Sequence, residues 1–161
     1  MLYTSTRGQT DMVCSAHAIT RGLADDGGLF VPQKFATLTL DEIVAMSELP
    51  YAERAAKILS FFLTDYTEEE LLACTSAAYS EERFGGFAAP LKQVKDKIAV
   101  LELWHGPTSA FKDMALQLLP HLLMKAIEKT GEQNNIVILV ATSGDTGKAA
   151  LEGFADVKGT Q

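Results

Sequence analysis

The stretch NIVILVATSGDTGKAA, residues 135–150, joins an uninterrupted apolar run to a glycine-containing loop and the start of a helix. A continuous apolar run of this kind is typical of a strand buried on both faces of a parallel sheet. The loop TSGDTG, residues 142–147, follows it, and a helix is predicted over about residues 145–155. This stretch favours an α/β fold.

Two further strands and a long helix precede that stretch. IAVLEL at 98–103 is rich in strand formers, and LKQV at 91–94 is separated from it by a KDK turn. An apolar-periodic helix is predicted from about residue 113 to 130, kinked at Pro120 and ended by Gly131. The order strand, helix, strand, helix predicts a βαβα unit whose two strands run parallel and are joined by a right-handed crossover.

The N-terminal half predicts a mostly helical subdomain with one short strand pair. LYTST at 2–6 and GLFVP at 28–32 are the strands, and the second follows an Asp-Asp-Gly-Gly turn and ends at Pro32. Four helices are predicted, in SAHAITRGLA (15–24), TLDEIVAMSEL (39–49), YAERAAKILSFFL (51–63) and TEEELLACTSAAYS (67–80).

Local sequence signals mark the ends of these helices. Thr39 with Glu42 forms a capping box, and Thr67 is an N-cap followed by three acids in the first turn. Either Gly22 or the Asp-Asp-Gly-Gly run at 25–28 ends the first helix. The glycines and proline of RFGGFAAP break the helical pattern, which predicts a boundary near residue 85 between segments 1–85 and 86–161.

Composition excludes several classes of protein. The 161 residues are 47% hydrophobic and 22% charged with a net charge of −7, which suits a globular protein and argues against nucleic-acid binding. The longest apolar run is far shorter than the ~20 residues that cross a bilayer, and the polar opening lacks a signal peptide's apolar core. We therefore expect a cytoplasmic protein. CSAH at 14–17 has the spacing of one of the two ligand pairs of a zinc site, but no second pair with matching spacing follows, so no metal is expected.

Lys112 is an unusual residue in LELWHGPTSAFKDMALQLL, residues 101–119. It lies at a helix start, where the helix dipole favours anions. Either its side chain extends into water, or its amine is a reactive group. In a parallel sheet, the loop carrying Lys112 and the loop 142–147 both leave the carboxyl ends of strands. They should meet at one edge, where ligands of open α/β sheets bind.

The loop SGDTG has the chemistry of an anion site. Gly144 and Gly147 allow a ligand to approach the backbone, the helix start offers free N–H groups, and Ser143 and Thr146 add hydroxyl donors. An ordinary capped helix start is the alternative. The loop fits neither a P-loop nor G-x-G-x-x-G, so nucleotide binding is not expected. A lysine beside such a loop either holds a phosphate as a point charge or forms a Schiff base with a carbonyl cofactor such as pyridoxal phosphate. The residues alone leave both open.

Four segments, taken in order, resemble the threonine synthases. They are STRG at 5–8, GLADDGGLFVP at 22–32, ELWHGPTSAFKDMALQLL at 102–119 and ATSGDTGKAA at 141–150. The resemblance covers essentially the whole chain. It implies a pyridoxal-phosphate enzyme of the tryptophan synthase β-like fold (fold type II), a lyase of threonine biosynthesis that converts O-phosphohomoserine and water into threonine and phosphate.

The resemblance also implies roles for individual residues. Lys112 would carry pyridoxal phosphate as an internal aldimine and then move protons on the substrate. His105 and Thr108 would be candidates for binding the substrate, although His105 is equally explained as a hydrogen-bonded loop histidine. The loop that holds the substrate carboxylate near the cofactor would comprise Ser143, Gly144, Asp145, Thr146 and Gly147.

Asp145 departs from the pattern, because many related enzymes have Asn there and an ionised Asp cannot donate a hydrogen bond. It would have to stay protonated, turn away or pair with a cation.

Length is the main departure from the family, whose members have several hundred residues. The phosphate-binding cup and the group facing the pyridine nitrogen come later in those sequences. A strand is also expected after residue 158, and its absence would leave a sheet edge uncovered. Residues 86–161 would then be the beginning of a catalytic domain, and the chain a fragment. We expect it to be inactive alone, or to associate with itself or with a missing C-terminal part. A non-catalytic phosphate-binding module and a self-associating structural fragment are the alternatives.

Overall fold

The structure is a computed structural model that describes all 161 residues in two compact units. The first unit comprises Met1–Thr75 and Leu122–Gln133, and the second comprises Ser76–His121 and Asn134–Gln161. Each unit is discontinuous in sequence because residues 122–133 group with the N-terminal segment. The boundary inferred near residue 85 remains a prediction about subdomains.

The chain contains four short strands and eight helices. Up to residue 78 they are β1 Tyr3–Ser5, α1 Ser15–Arg21, β2 Phe30–Pro32, α2 Leu40–Ser47, α3 Tyr51–Ser60 and α4 Glu68–Ala78. The remaining ones are α5 Glu81–Phe84, β3 Leu91–Lys95, β4 Ile98–Leu101, α6 Asp113–Leu116, α7 Leu119–Thr130 and α8 Asp145–Phe154. None of the helices combines the length and the apolar character that crossing a bilayer requires.

The predicted strand pair of the first unit is confirmed. β1 and β2 are antiparallel, and β2 ends at Pro32 as predicted. The Asp26 carboxylate fastens the turn before β2 by accepting hydrogen bonds from the Ser5 hydroxyl at 2.6 Å, the Gly28 N–H at 2.9 Å and the Gln9 N–H at 3.1 Å. A Cβ on Gly28 would overlap the Ser5 hydroxyl, so this glycine is required by close packing.

The predicted helix limits of the first unit are also observed. Thr39 and Glu42 form both halves of the capping box at the start of α2. The same reciprocal pair begins α4, where the Glu70 N–H donates to Thr67 Oγ1 at 3.2 Å and the Thr67 N–H donates to Glu70 Oε2 at 2.9 Å. α1 ends before Gly22, which has a φ of 72°. Side chains three residues apart thus determine where α2 and α4 begin, and a glycine with positive φ determines where α1 ends.

Tyr66 is buried in the core of the first unit. Its buried hydroxyl donates to the Leu122 carbonyl at 3.0 Å, and burial raises the pKa of that hydroxyl. The Lys129 ammonium lies 5.1 Å from the centroid of the Tyr66 ring and 2.7 Å from Glu70 Oε2. These contacts join the end of α7 to α4 within this unit. Cys74 is buried here and, like the exposed Cys14, is a free thiol.

In the second unit, β3 and β4 form an antiparallel hairpin with Leu91 opposite Leu101. Lys97, in the turn between them, has a φ of 98°. The strands and the turn lie where the sequence predicts them. All nine strand residues are exposed, so the hairpin has little core of its own.

Pro120 interrupts the long predicted helix rather than bending it. Proline has no N–H, so the Leu116 carbonyl loses its partner four residues ahead, and the helix divides into α6 and α7. Gly153 of α8 lies against that carbonyl, because a Cβ on Gly153 would overlap the Leu116 oxygen. A glycine at this position therefore permits the close contact between α6 and α8. Gly131, with a φ of 68°, follows the last residue of α7 as predicted.

The pairing of residues 136–141 differs from the prediction. β4 pairs with β3, whereas residues 136–138 pair in parallel with residues 159–161, with N···O distances of 2.7–3.2 Å. The α/β class is confirmed, but the parallel pairing predicted between the strands at 98–103 and 135–141 is not observed. Parallel pairing is confined to the short contact between residues 136–138 and 159–161. The strand after residue 158 was expected to be missing, and residues 159–161 lie at that position.

Residues 136–141 were expected to be buried on both faces, and that expectation is wrong. Exposure alternates along the run, with Val137 67% and Leu139 91% exposed. Burial on both faces requires neighbouring strands and helix layers on each side. Here the exposed side chains of Val137 and Leu139 lie on one face of the run, which no layer of the protein covers.

Candidate active site

Lys112 immediately precedes α6 and has helical backbone angles, with φ −61° and ψ −25°. Its side chain is half-buried, and its Nζ lies 5.0 Å from the centroid of the Phe111 ring. No carboxylate forms an ion pair with it. The arrangement leaves a primary amine beside an aromatic ring, without a fixed counter-ion.

The residues before Lys112 form a loop whose conformation is held by hydrogen bonds to the Asp113 side chain. The fully buried Asp113 carboxylate accepts the Thr108 N–H at 2.8 Å and the Thr108 hydroxyl at 2.7 Å. A Cβ on Gly106 would lie only 2.5 Å from Asp113 Oδ2, so the loop has room for glycine alone there. The Thr108 hydroxyl is therefore engaged within the protein, and its contact with a substrate remains a prediction.

His105 is held by a buried carboxylate. Its Nε2 lies 2.7 Å from Glu102 Oε2, and Glu102 Oε1 lies 3.2 Å from Lys92 Nζ. The hydrogen bond from His105 and the Lys92 ammonium hold the pKa of Glu102 below its ordinary value. The imidazole also stacks on Trp104, with the ring centroids 5.7 Å apart. This geometry matches the hydrogen-bonded loop histidine considered above, and substrate binding by His105 remains a prediction.

Thr142 organises the second loop, and sequence reasoning missed it. Its Oγ1 accepts the Gly147 N–H at 2.9 Å and the Gly144 N–H at 3.4 Å. Gly144 is the N-cap residue of α8 and has no side chain, so the Thr142 hydroxyl accepts the Gly147 N–H in its place. No standard capping pattern signals this bond, because the two residues are five positions apart. The exposed hydroxyls of Ser143 and Thr146 have no hydrogen-bond partner within the protein and are free to bind a ligand.

Gly144 and Gly147, the two glycines of this loop, differ in the space that surrounds them. A Cβ on Gly147 would lie 2.5 Å from Thr142 Oγ1 and 2.7 Å from Val140 Cγ1, so Gly147 is required by packing within the loop. A Cβ on Gly144 would meet nothing within 4 Å, and its φ of 168° is extended. Close approach of a ligand, predicted for both glycines, therefore has open space only beside Gly144.

Asp145 is the first residue of α8 and is exposed. No cation forms an ion pair with it, which removes one of the three explanations considered for this residue. A carboxylate in the first turn of a helix interacts favourably with the helix dipole. Its presence is thus accounted for by the helix alone.

The loop carrying Lys112 and the loop before α8 meet, as the topology predicted. A cavity of ≈ 410 Å³ is lined by Phe111 and Lys112 from the first loop and by residues 142–146 from the second. Lys148 of α8 spans the two loops, because its Nζ donates to the Thr108 carbonyl at 3.1 Å. Sequence reasoning gave Lys148 no role, although a lysine in the first turn of a helix is unfavourably placed.

Comparison with known proteins gives the same relationship along the whole chain. The sequence family described as Threonine synthase N terminus matches residues 2–79. Threonine synthase of Pseudomonas aeruginosa is 45% identical over an alignment of 161 positions, which covers 95% of this chain and 32% of that protein. Threonine synthase of Schizosaccharomyces pombe is 37% identical over an alignment of 164 positions, which covers 97% of this chain and 32% of that protein.

A solved structure agrees with these sequences. The crystal structure of pyridoxal-phosphate-bound threonine synthase from Brucella melitensis superimposes with a TM-score of 0.89 at 38% identity, covering 99% of this chain and 34% of that one. The chain spans about a third of the length of the relatives that it matches. With its fold, its loops and its sequence all in agreement, the chain belongs to the threonine synthase family and corresponds to the N-terminal region of its members.

Proposed function

We propose that this chain contributes the cofactor lysine and the substrate-carboxylate loop of a threonine synthase, which uses pyridoxal phosphate to form threonine and phosphate from O-phosphohomoserine and water. The observation that supports this proposal is the cavity shared by Lys112 and residues 142–146. The similarity to threonine synthases, one of them solved with pyridoxal phosphate, supports the choice of reaction and cofactor.

The residues around the cavity fit such a cofactor. Its volume of ≈ 410 Å³ lies within the usual range of small-molecule sites, about 300–1,000 Å³. The Lys112 amine has no counter-ion that it must leave before it condenses with an aldehyde, and open space lies beside Gly144. When bound, pyridoxal phosphate supplies an electron sink for the bonds broken and formed at the substrate carbons.

The side chains of this chain then have separate tasks. Lys112 would hold the cofactor covalently, and its amine, once the amino group of the substrate has displaced it, would move protons at the α- and β-carbons of the substrate. The hydroxyls of Ser143 and Thr146, together with the backbone N–H groups at the start of α8, bind the substrate carboxylate. Asp145 offers no donor as a carboxylate, so the neighbouring backbone and hydroxyl groups perform this binding.

Reductive labelling tests the role of Lys112. The 161-residue chain is mixed with pyridoxal phosphate, reduced with borohydride, digested and mapped by mass spectrometry, while a second sample is followed by visible absorbance. We expect the label on Lys112, and an absorbance band that is lost in Lys112→Ala. Lys158→Ala, which removes an exposed lysine of the same unit, should keep both. Label spread evenly over surface lysines, or a band that survives Lys112→Ala, would contradict the assignment.

Stabilisation by phosphate separates this proposal from a non-catalytic anion-binding module. Such a module predicts a rise in melting temperature with inorganic phosphate that is the same in the wild type and in Lys112→Ala, and no covalent label at Lys112. The enzyme proposal predicts the label. Phosphate release from O-phosphohomoserine then tests whether the chain is active alone or only with the remainder of a threonine synthase.

A further inference from the structure

Lys148 has an unusual position and an unusual partner. It lies in the first turn of α8, where a cation is disfavoured by the helix dipole. Surface lysines commonly extend their ammonium groups into water. The Lys148 ammonium instead donates to the Thr108 carbonyl, 40 residues away in sequence, at 3.1 Å. This contact joins α8 to the loop that precedes Lys112, and residues next to each of these segments line the cavity.

Thr108 is fixed by all three of its polar groups. Asp113 accepts its N–H at 2.8 Å and its hydroxyl at 2.7 Å, and Lys148 donates to its carbonyl. Asp113 attaches Thr108 to α6, and Lys148 attaches it to α8. Since Lys112 directly precedes Asp113, the contact from Lys148 fixes the loop that carries Lys112 relative to the start of α8.

A second contact joins the same two helices at another point. Gly153, near the end of α8, packs against the Leu116 carbonyl at the end of α6. That contact sets the distance between the helices but lies away from residues 142–146. The Lys148 contact is therefore the hydrogen bond that holds the two cavity-lining loops together.

We propose that Lys148 is a positioning residue that holds the Lys112 loop against residues 142–146 and so keeps the cavity in its binding geometry. Its effect on cofactor affinity rests on the proposed function, whereas its effect on the loop does not. A charge-assisted, partly buried hydrogen bond is consistent with a roughly threefold to tenfold change in affinity.

Three variants of the full chain test this role. Lys148→Met keeps the apolar stem and removes the donor, Lys148→Arg keeps a cationic donor, and Lys158→Met removes an exposed lysine of the same unit. Hydrogen exchange of the amides in residues 105–112 measures the loop without cofactor, and the absorbance titration with pyridoxal phosphate measures affinity. We expect faster exchange in that segment and a threefold to tenfold higher Kd in Lys148→Met, and near wild-type values in Lys148→Arg and Lys158→Met.

Other outcomes would overturn the inference. Unchanged exchange at 105–112 in Lys148→Met would show that the contact does not hold the loop. Faster exchange over the entire second unit, or failure of Lys148→Arg to restore the loop, would show general stabilisation or a different role. If pyridoxal phosphate does not label Lys112 in the wild type, the proposed function fails, and the exchange comparison still decides the role of Lys148.

Discussion

Asp113 holds Thr108 at two points, accepting its backbone N–H with one carboxylate oxygen and its hydroxyl with the other. The carboxylate is fully buried, and a Cβ on Gly106 would overlap it. One anion thus shapes the loop that presents Lys112, without taking part in any step that we assign to the site.

Replacing Asp113 by Asn should destabilise the protein while preserving the size of the side chain. The amide oxygen can accept the Thr108 N–H, but the NH₂ group can only donate to the Thr108 hydroxyl oxygen, so the hydroxyl proton loses its acceptor. A buried donor left without an acceptor costs about 1–3 kcal/mol. Urea unfolding of Asp113→Asn should show a loss in this range. Asp96→Asn, in the exposed turn between β3 and β4, should match the wild type, and equal stability of the two variants would refute the role of Asp113.

Acid should weaken the pair formed by Glu102 and His105. The hydrogen bond from His105 and the Lys92 ammonium lower the pKa of Glu102 from its ordinary value of 4.5. A lowered carboxyl pKa contributes stability that is present above the ordinary value and is lost as the pH falls through the lowered one. The free energy of unfolding should therefore be higher in the wild type than in Glu102→Gln at about pH 6, and the difference should shrink toward about pH 3. A difference independent of pH would show that the carboxylate charge is not involved.

The outer edge of residues 136–140 should promote self-association. Ile136 and Ile138 use their backbone groups toward residues 159–161, whereas Val137 and Leu139 have no strand partner and are highly exposed. Exposed apolar strand edges pair with other chains, and a lysine at the edge opposes this pairing.

Light scattering over a concentration series should therefore show a rising mass for the wild type and a constant mass for Leu139→Lys. Leu151→Lys, which replaces an exposed leucine of α8, is the matched control and should behave as the wild type. A wild-type mass that stays constant, or an equal effect of both variants, would exclude pairing through this edge.

Features set by neighbouring residues were predictable from the sequence. The cap at Thr39 and the helix end at Gly22 depend on groups a few residues apart, so the local pattern contains the necessary information. A disturbance at Pro120 was predictable for the same reason, although a kink was expected and the helix is divided instead. The meeting of the Lys112 loop with residues 142–146 was also predicted, although the parallel strand pairing on which that prediction rested is not observed. These predictions required no knowledge of side-chain positions.

Features set by distant residues were not predictable in the same way. The exposure of Leu139 depends on which strands and helices lie beside residues 136–141, and periodicity does not give that information. The sequence alone assigned Lys148 no role, because a hydrogen bond to a carbonyl 40 residues away leaves no local signal.

Gly144 and Gly147 should separate ligand binding from folding. Gly147→Ala would place a Cβ 2.5 Å from Thr142 Oγ1 and 2.7 Å from Val140 Cγ1, and overpacking of this kind costs roughly 1–3 kcal/mol. Gly144→Ala adds a methyl group where no atom lies within 4 Å and where φ is extended. We expect a lower melting temperature for Gly147→Ala and an unchanged one for Gly144→Ala.

The Kd for pyridoxal phosphate, measured below the melting temperature of each variant, should not follow the order of the melting temperatures. The methyl group of Gly144→Ala would occupy space at the cavity, so the Kd for pyridoxal phosphate should rise at least as much as in Gly147→Ala, despite normal stability. Gly153→Ala, whose Cβ would overlap the Leu116 carbonyl away from the cavity-lining loops, provides a destabilised reference. If Gly144→Ala binds as tightly as the wild type, the space beside this glycine is not used by the cofactor, and the 142–147 loop must act through its hydroxyl and N–H groups alone.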